Sequence, residues 1–164
     1  MKNLYFRTLL TTLLLMLSLS ASAAGSRLFR ISRSLNSNVV CYDVQLVGGM
    51  LNQKQPINVY WINNETKPAR KKELNAIERK MAFGYKVISA SGQTAKVALA
   101  ASPQRIITVT KRGGTWVALA NINGKECVLT EIYVKAKGAM SVDYLELKGK
   151  PIAGGTEIKE KLKP

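Results

Sequence analysis

The sequence predicts a mainly β protein, in which about eight antiparallel strands form a barrel-like or sandwich sheet with one packed α-helix. Two observations favour this fold. From Tyr85 onward, apolar and β-branched runs are interrupted by turn residues at intervals of roughly ten positions. Only the segment from about Pro68 to Phe83 carries apolar residues at helical spacing. A barrel or a sandwich would protect the two open edges that such a sheet leaves.

The first element is a secretory signal sequence, which we predict over residues 1–24. Lys2 and Arg7 make its start positive, the run from Leu9 to Leu19 is apolar, and Ala21-Ser22-Ala23 suits cleavage. The apolar run is too short for a membrane span. We therefore expect a periplasmic or secreted protein that is not transmembrane after cleavage, with residues 25–164 forming a single domain.

Three strands are predicted before the helix. They are Arg27 to Arg33, Asn38 to Val47 and Ile57 to Ile62. Gly48-Gly49 ends the second strand, and Pro56 precedes the third.

The helix is predicted from about Pro68 to Phe83, with Thr66 as its N-cap and Gly84 as its C-terminal stop. Leu74, Ile77 and Met81 recur at helical spacing and would form one apolar stripe. We expect this stripe to pack on the sheet while the basic side chains of the helix face water.

The remaining strands are separated by turns that contain glycine. The turns are Ser91-Gly92, Gly113-Gly114, Asn123-Gly124 and Lys137-Gly138. The strands between and beside them are Ala95 to Ala101, Arg105 to Lys111, Thr115 to Ile122, Glu126 to Lys135 and Met140 to Leu147. Sequential hairpins of this kind form an antiparallel meander. The end of the chain, residues 150–164, is predicted as either a short terminal strand or a mobile tail.

The charge balance indicates which partners the protein attracts. The chain has 25 Lys and Arg against 10 Asp and Glu, a net charge of +15. Such an excess attracts anionic envelope components through the summed field, and it also keeps an exported protein soluble. Nucleic acid is not an expected partner, because an exported protein rarely meets it.

The absence of histidine excludes several kinds of site. The sequence has no histidine, so it lacks the usual general base at neutral pH and the commonest transition-metal ligand. The only cysteines are Cys41 and Cys127, which are candidates for one disulfide or for two buried free thiols. We expect no catalytic residue, no metal and no cofactor.

Two groups of residues are candidate binding surfaces. The first joins aromatic and charged side chains near the helix and would line a ligand pocket: Tyr60, Arg70, Glu78 and Tyr85. In the structural alternative, Glu78 pairs with a strand arginine such as Arg30 or Arg33. The second group is a basic surface on the helix and the first strand: Lys71, Lys72, Arg79, Lys80, Arg27, Arg30 and Arg33. It would meet anionic groups in a salt-sensitive way, or serve only as a solvated face.

Four segments together resemble a known family. They are Arg27 to Ser34, Asn38 to Asp43, Pro56 to Trp61 and Glu73 to Tyr85. In this order they resemble the exported bacterial domains of domain-of-unknown-function family 4833. The resemblance implies an exported single domain, and it carries no catalytic or binding residue across to this chain.

Three classes of function follow from the sequence. The first is an exported, non-catalytic binding domain for an anionic or amphipathic small ligand. The second is a structural or interaction module that docks onto the cell envelope through its basic face. The third is a histidine-free enzyme that uses carboxylates. A binding barrel needs an apolar pocket with a few polar groups, a docking module needs a salt-sensitive surface, and an enzyme needs converging carboxylates.

Overall fold

A computed structural model describes residues 26–137 and 141–163. The predicted signal sequence, residues 1–24, lies outside the described residues. The described part forms thirteen strands and one helix. In chain order they are β1 Arg27–Arg33, β2 Asn36–Val44, β3 Leu46–Val47, β4 Met50–Leu51, β5 Ile57–Asn63, β6 Arg70–Glu73, α1 Ala76–Met81, β7 Tyr85–Ser91, β8 Thr94–Leu99, β9 Ser102–Arg112, β10 Thr115–Ile122, β11 Lys125–Ala136, β12 Val142–Pro151 and β13 Ile158–Leu162.

Eleven of these strands form one large sheet that curls into a half-barrel. Its order is β6-β5-β2-β1-β11-β10-β9-β8-β7, with β12 and β13 attached beyond β11. The predicted mainly β, barrel-like class is therefore confirmed, although the strands number more than eight. The surplus arises partly because the predicted strand from Asn38 to Val47 divides into β2 and β3, and β3 pairs with β4 across the Gly48-Gly49 turn.

Strand β11 is the branch point of the sheet. Along one edge it pairs with β12 from Cys127 to Ala136. Its other edge is shared, because β10 pairs with residues 125–128 and β1 pairs with residues 131–134. The β1 pairing is parallel, whereas every other strand pair is antiparallel among the residues that the structure describes. Two arms of the sheet therefore leave the same edge and enclose a common interior.

The core lies on the inner face of this curled sheet. Ile31, Val40 and Trp61 occupy matched positions on β1, β2 and β5, and all three are buried. Phe29 and Tyr42 stack with ring centroids 4.3 Å apart. Aromatic and β-branched side chains on one strand face bury the apolar area that stabilises a sheet of this size.

The predicted helix from Pro68 to Phe83 is wrong in its extent. Residues Arg70–Glu73 instead form β6 against β5, and the helix covers only Ala76–Met81. The helix begins at a capping box, in which the Asn75 side chain accepts from the Glu78 amide and the Glu78 carboxylate accepts from the Asn75 amide. Thr66 is not its N-cap, since the Thr66 hydroxyl donates to the Asn63 carbonyl.

The predicted apolar stripe of the helix does not pack on the sheet. Leu74 is buried but precedes the helix, whereas Ile77 and Met81 are 71% and 72% exposed. The segment is held to the sheet after the helix ends, because Phe83 packs edge-to-face on Trp61 at 5.0 Å. None of the six residues of α1 is buried.

Candidate functional site

The inner face of the half-barrel holds a cavity of 520 Å³. Its floor consists of buried apolar side chains from four strands: Ile107, Ala120, Leu129, Ile132 and Leu147. Its rim includes the exposed side chains of Leu35, Met81 and Val142. Pockets of this volume and lining bind small ligands with apolar bodies.

A β-bulge in β11 lets side chains on both sides of it face the cavity. The alternation of side chains along a strand would place Leu129 and Glu131 on the same face. The pairing of β11 with β12 shifts register between those two residues, so Ile132 and Val134 continue the inner face after Leu129. Glu131 consequently points to the outer face, where it accepts from Lys148.

Arg105 is a charged residue at the cavity, and its charge is already matched. Its guanidinium donates to both carboxylate oxygens of Glu160, at 3.0 and 3.1 Å. It also donates to the Asn121 carbonyl at 2.6 Å. The hydrogen bonds from Arg105 lower the pKa of Glu160 below its ordinary value. Burial of the carboxylate raises this pKa, but by less. This pair therefore joins β9 to β13 across the half-barrel and leaves little net charge for a ligand.

Arg33 is the second cation at the cavity, and it is less completely partnered. Its guanidinium lies over the Trp61 ring, 4.7 Å from the centroid. Its Nε atom is buried and has no hydrogen-bond partner within residues 26–137 and 141–163. A buried donor without an acceptor is costly to the protein. Arg33 also forms no ion pair among the described residues, so its charge remains available to an anionic group in the cavity.

Arg33 also connects the large cavity to a smaller one of 200 Å³. The smaller cavity is lined by Trp61, Lys72 and Glu78 beside Arg33. Lys72 lies opposite Trp61 on the neighbouring strand. Arg33 and Lys72 thus bring two cations to the smaller cavity beside the Glu78 carboxylate, and Arg33 also lines the large apolar cavity.

The four side chains predicted to line a ligand pocket do not come together in one site. Tyr60 lies on the outer face, where its hydroxyl donates to Asp43 at 2.5 Å. The Tyr85 hydroxyl donates to the Ile57 carbonyl at 2.7 Å and accepts from the Ile57 amide at 3.1 Å. Arg70 is exposed on β6, and Glu78 caps the helix while lining the smaller cavity. The two tyrosines are thereby engaged in structural contacts.

The structural alternative for Glu78 is wrong in its partner. Arg30 pairs instead with Glu131, with Nε to Oε1 at 3.3 Å. Glu78 makes no ion pair among the described residues, because its carboxylate accepts from the helix N-terminus. Its negative charge there interacts favourably with the partial positive charge at the N-terminus of the helix.

The predicted basic surface is divided between the two faces of the sheet. Lys71 and Lys72 lie on β6 rather than on the helix, and they point to opposite faces because they are successive strand residues. On the outer face, Arg27 pairs with Asp43 and the Lys71 ammonium lies 4.0 Å from the Tyr60 ring centroid. Arg79 pairs with Glu73 at 3.8 Å. The seven residues therefore do not form one continuous patch.

Of the two alternatives for the cysteines, the structure has the second, since Cys41 and Cys127 are both buried free thiols. Cys41 on β2 lies opposite Arg30 on β1, and Arg30 lies opposite Glu131 on β11. Cys127 lies four residues before Glu131 on β11. Two strand spacings and four residues along a strand separate the Cα atoms by roughly 16 Å. A disulfide requires a separation below about 7 Å.

Five of the carboxylates of the described residues take part in ion pairs, namely Asp43, Glu73, Glu131, Glu146 and Glu160. Hydrogen bonds from Ser32 and Lys148 lower the pKa of Glu131, against the opposing effect of burial. Within the described ranges, no three cysteine or acidic side chains form a group that would hold a metal ion. No helix in the described part of the chain has the length and hydropathy of a membrane span.

Comparison with known proteins gives one match. A family model covers residues 29–161, and its description is a domain of unknown function. Neither the curated proteins nor the solved structures contain a match to the chain.

Proposed function

The chain belongs to the family of domains of unknown function DUF4833, and from the cavity described above we propose that it is an exported, non-catalytic binding domain for an amphipathic anionic ligand. The observation that carries the proposal is the 520 Å³ apolar cavity whose lining includes Arg33, a cation with no ion pair among the described residues. The signal sequence predicted over residues 1–24 supports export.

The cavity favours a ligand with an extended apolar body. Its floor is buried and free of charged side chains at Ile107, Leu129 and Leu147. Each methylene group that leaves water for such a floor contributes about 0.8 kcal/mol. An acyl chain therefore gains binding energy along its whole length.

The cations that line the two cavities favour a negative head group. Arg33 lines both cavities, and Lys72 lines the smaller one. A carboxylate or phosphate would accept from the Arg33 guanidinium in a bidentate arrangement, which is a strong form of hydrogen bond. A positive head group would meet like charge in a partly buried site and bind less well.

The carboxylates support the non-catalytic part of the proposal. Hydrolysis by paired carboxylates requires one of them to be protonated near neutral pH. Glu131 and Glu160 instead have lowered pKa values and basic partners. Their environments therefore favour ion pairs over acid catalysis.

The test compares three ligands that share one apolar body. Dodecanoate, dodecanol and dodecyltrimethylammonium differ in head-group charge, and isothermal titration calorimetry measures the affinity of each for the mature protein. We expect dodecanoate to bind most tightly and the ammonium ligand most weakly. The proposal is wrong if none of the three binds, or if the ammonium ligand binds best.

Two variants locate the ligand. Ala136→Phe fills the cavity from a half-buried lining position and should abolish dodecanoate binding. Arg33→Gln should weaken dodecanoate binding about tenfold or more while leaving dodecanol binding unchanged, because it removes a charged hydrogen bond. Arg112→Gln is the matched control, since Arg112 is exposed on β9 and lines neither cavity. Equal loss in Arg33→Gln and Arg112→Gln would contradict the site.

A further inference from the structure

Helix α1 presents its apolar side chains to water. Ile77 and Met81 are four residues apart and therefore share one face of the helix. They are 71% and 72% exposed, and no residue of α1 is buried. A helix that belongs only to the core of its own chain would turn this face inward.

The exposed helix face is continuous with the rim of the large cavity. Met81 lines that cavity, as do Leu35 and Val142. Leu35 is 54% exposed and Val142 is 40% exposed. Apolar side chains that cluster in water around a cavity mouth mark an interaction surface.

The charge around the helix selects the partner. Arg79 and Lys80 occupy the last turn of α1. At about 100° per residue, Lys80 lies roughly 60° from Ile77 around the helix axis, so its long side chain flanks the apolar face. Arg79 lies about 160° from Ile77 and pairs with Glu73, so Lys80 is the basic side chain of α1 that borders this face. An apolar face with basic charge beside it is a pattern of a helix that lies in an anionic membrane interface.

A second copy of the chain is a poor occupant of the same surface. Each chain carries a net charge of +15, so two basic surfaces of this kind repel each other. An anionic bilayer supplies both an apolar layer for Ile77 and Met81 and a negative surface for Lys80 and for the net positive charge of the chain.

We propose that α1 and the cavity rim dock onto an anionic lipid bilayer. In this position the mouth of the cavity opens at the lipid surface. The docking itself rests on the exposed side chains and their charge. That a ligand enters the cavity from the lipid rests on the function proposed above.

Vesicle sedimentation tests the docking. The mature protein is mixed with vesicles of phosphatidylcholine alone, or of equal parts phosphatidylcholine and phosphatidylglycerol. We expect binding to the anionic vesicles that weakens as salt is added, because the ions screen the basic residues. A protein that stays in the supernatant with anionic vesicles would overturn the proposal, and an acidic protein would then be the partner to seek.

A matched pair of double variants locates the surface. Ile77→Asp with Met81→Asp should reduce vesicle binding by at least about tenfold. Val47→Asp with Met50→Asp is the control, because these side chains are 63% and 65% exposed and line neither cavity. If the control pair reduces binding as much as the α1 pair does, the docking surface is not α1.

The single variant Ile77→Asp separates the two proposals. Ile77 does not line the large cavity, so this variant should lose vesicle binding and keep its affinity for dodecanoate. Wild-type protein that binds vesicles but not dodecanoate would overturn the ligand site alone. Protein that binds dodecanoate but not vesicles would overturn the docking alone.

Discussion

Gly149 is the residue at which the sheet leaves the least room for a side chain. A Cβ atom added there would lie 2.6 Å from Ile122 Cδ1 and 2.8 Å from the Val128 carbonyl oxygen. The carbonyl belongs to β11 and is fixed by the strand pairing. Glycine at this position therefore permits β12 to approach β11 over the buried end of β10.

We predict that Gly149→Ala lowers the free energy of unfolding by about 1–3 kcal/mol, because the added methyl overpacks the sheet. Chemical denaturation followed by circular dichroism measures the change. Lys150→Ala is the control, since Lys150 is exposed on the same strand. A Gly149→Ala protein as stable as Lys150→Ala would show that β12 moves to accommodate the methyl group.

The Arg105–Glu160 pair makes stability depend on pH. The pKa of Glu160 is lowered from its ordinary value of 4.5, chiefly by the hydrogen bonds from Arg105. A carboxylate with a lowered folded-state pKa stabilises the fold fully above its ordinary pKa. That contribution is lost as the pH falls below 4.5 and through the folded-state pKa.

We therefore predict that Glu160→Gln destabilises the protein by about 1 kcal/mol near neutral pH, the loss expected for a partly buried ion pair. The difference from wild type should shrink as the pH falls below 4.5. Thermal unfolding at a series of pH values measures it, with the exposed Glu126→Gln as control. A difference that grows toward acid pH would contradict the assignment.

Helix α1 depends on its own capping more than on the core. Asn75 and Glu78 satisfy the amides at the start of the helix, and no residue of α1 is buried. Gly84 lies closely behind the helix, since a Cβ atom there would be 1.8 Å from the Arg79 carbonyl oxygen. The helix is thus a local unit that can open while the sheet stays folded.

We predict that Asn75→Ala speeds hydrogen exchange of the amides of residues 76–81, because losing the cap costs the helix about 1 kcal/mol. Exchange in the strands should not change. Thr66→Ala is the matched control, because the Thr66 hydroxyl bonds to Asn63 and not to the helix. Equal exchange in α1 for both variants would show that the cap is dispensable.

The outcome for individual elements shows what sequence patterns can predict. Strands with clear apolar alternation, such as β1 and β10, have the predicted bounds. Strand β6 has the sequence RKKE with all four residues exposed, so it has no pattern of its own and exists only because it pairs with β5. The helical spacing of Leu74, Ile77 and Met81 predicted a buried stripe. Because β6 pairs with β5, the helix starts only at Ala76, after Leu74, and the stripe does not form.

The candidate site was predicted less well than the fold. Arg33 was assigned to the basic surface, but whether a cation has a partner depends on which strands meet, and one sequence does not contain that information. The inner face of β11 was detectable, since apolar residues change phase between Leu129 and Ile132. Such a phase change within a strand indicates a bulge.

In the described part of the molecule, the sheet rather than a covalent link joins β1 to the last three strands, β11 to β13. Cys41 and Cys127 are free and buried. We predict that a reductant leaves the thermal unfolding midpoint unchanged, and that a thiol reagent labels both cysteines only after unfolding. A thermal unfolding midpoint that falls when the reductant is added would contradict this prediction, because it would reveal a disulfide within one chain or between two.

The parallel contact between β1 and β11 sets the order in which the protein can fold. It joins residues 30–33 to residues 131–134, so this edge of β1 stays unpaired until β11 is available, whereas the pairing of β1 with β2 is local. Contacts between residues so distant in sequence slow folding, because the chain loses loop entropy before they form. The half-barrel is therefore completed late, and until then one edge of β1 remains open to other strands or to chaperones.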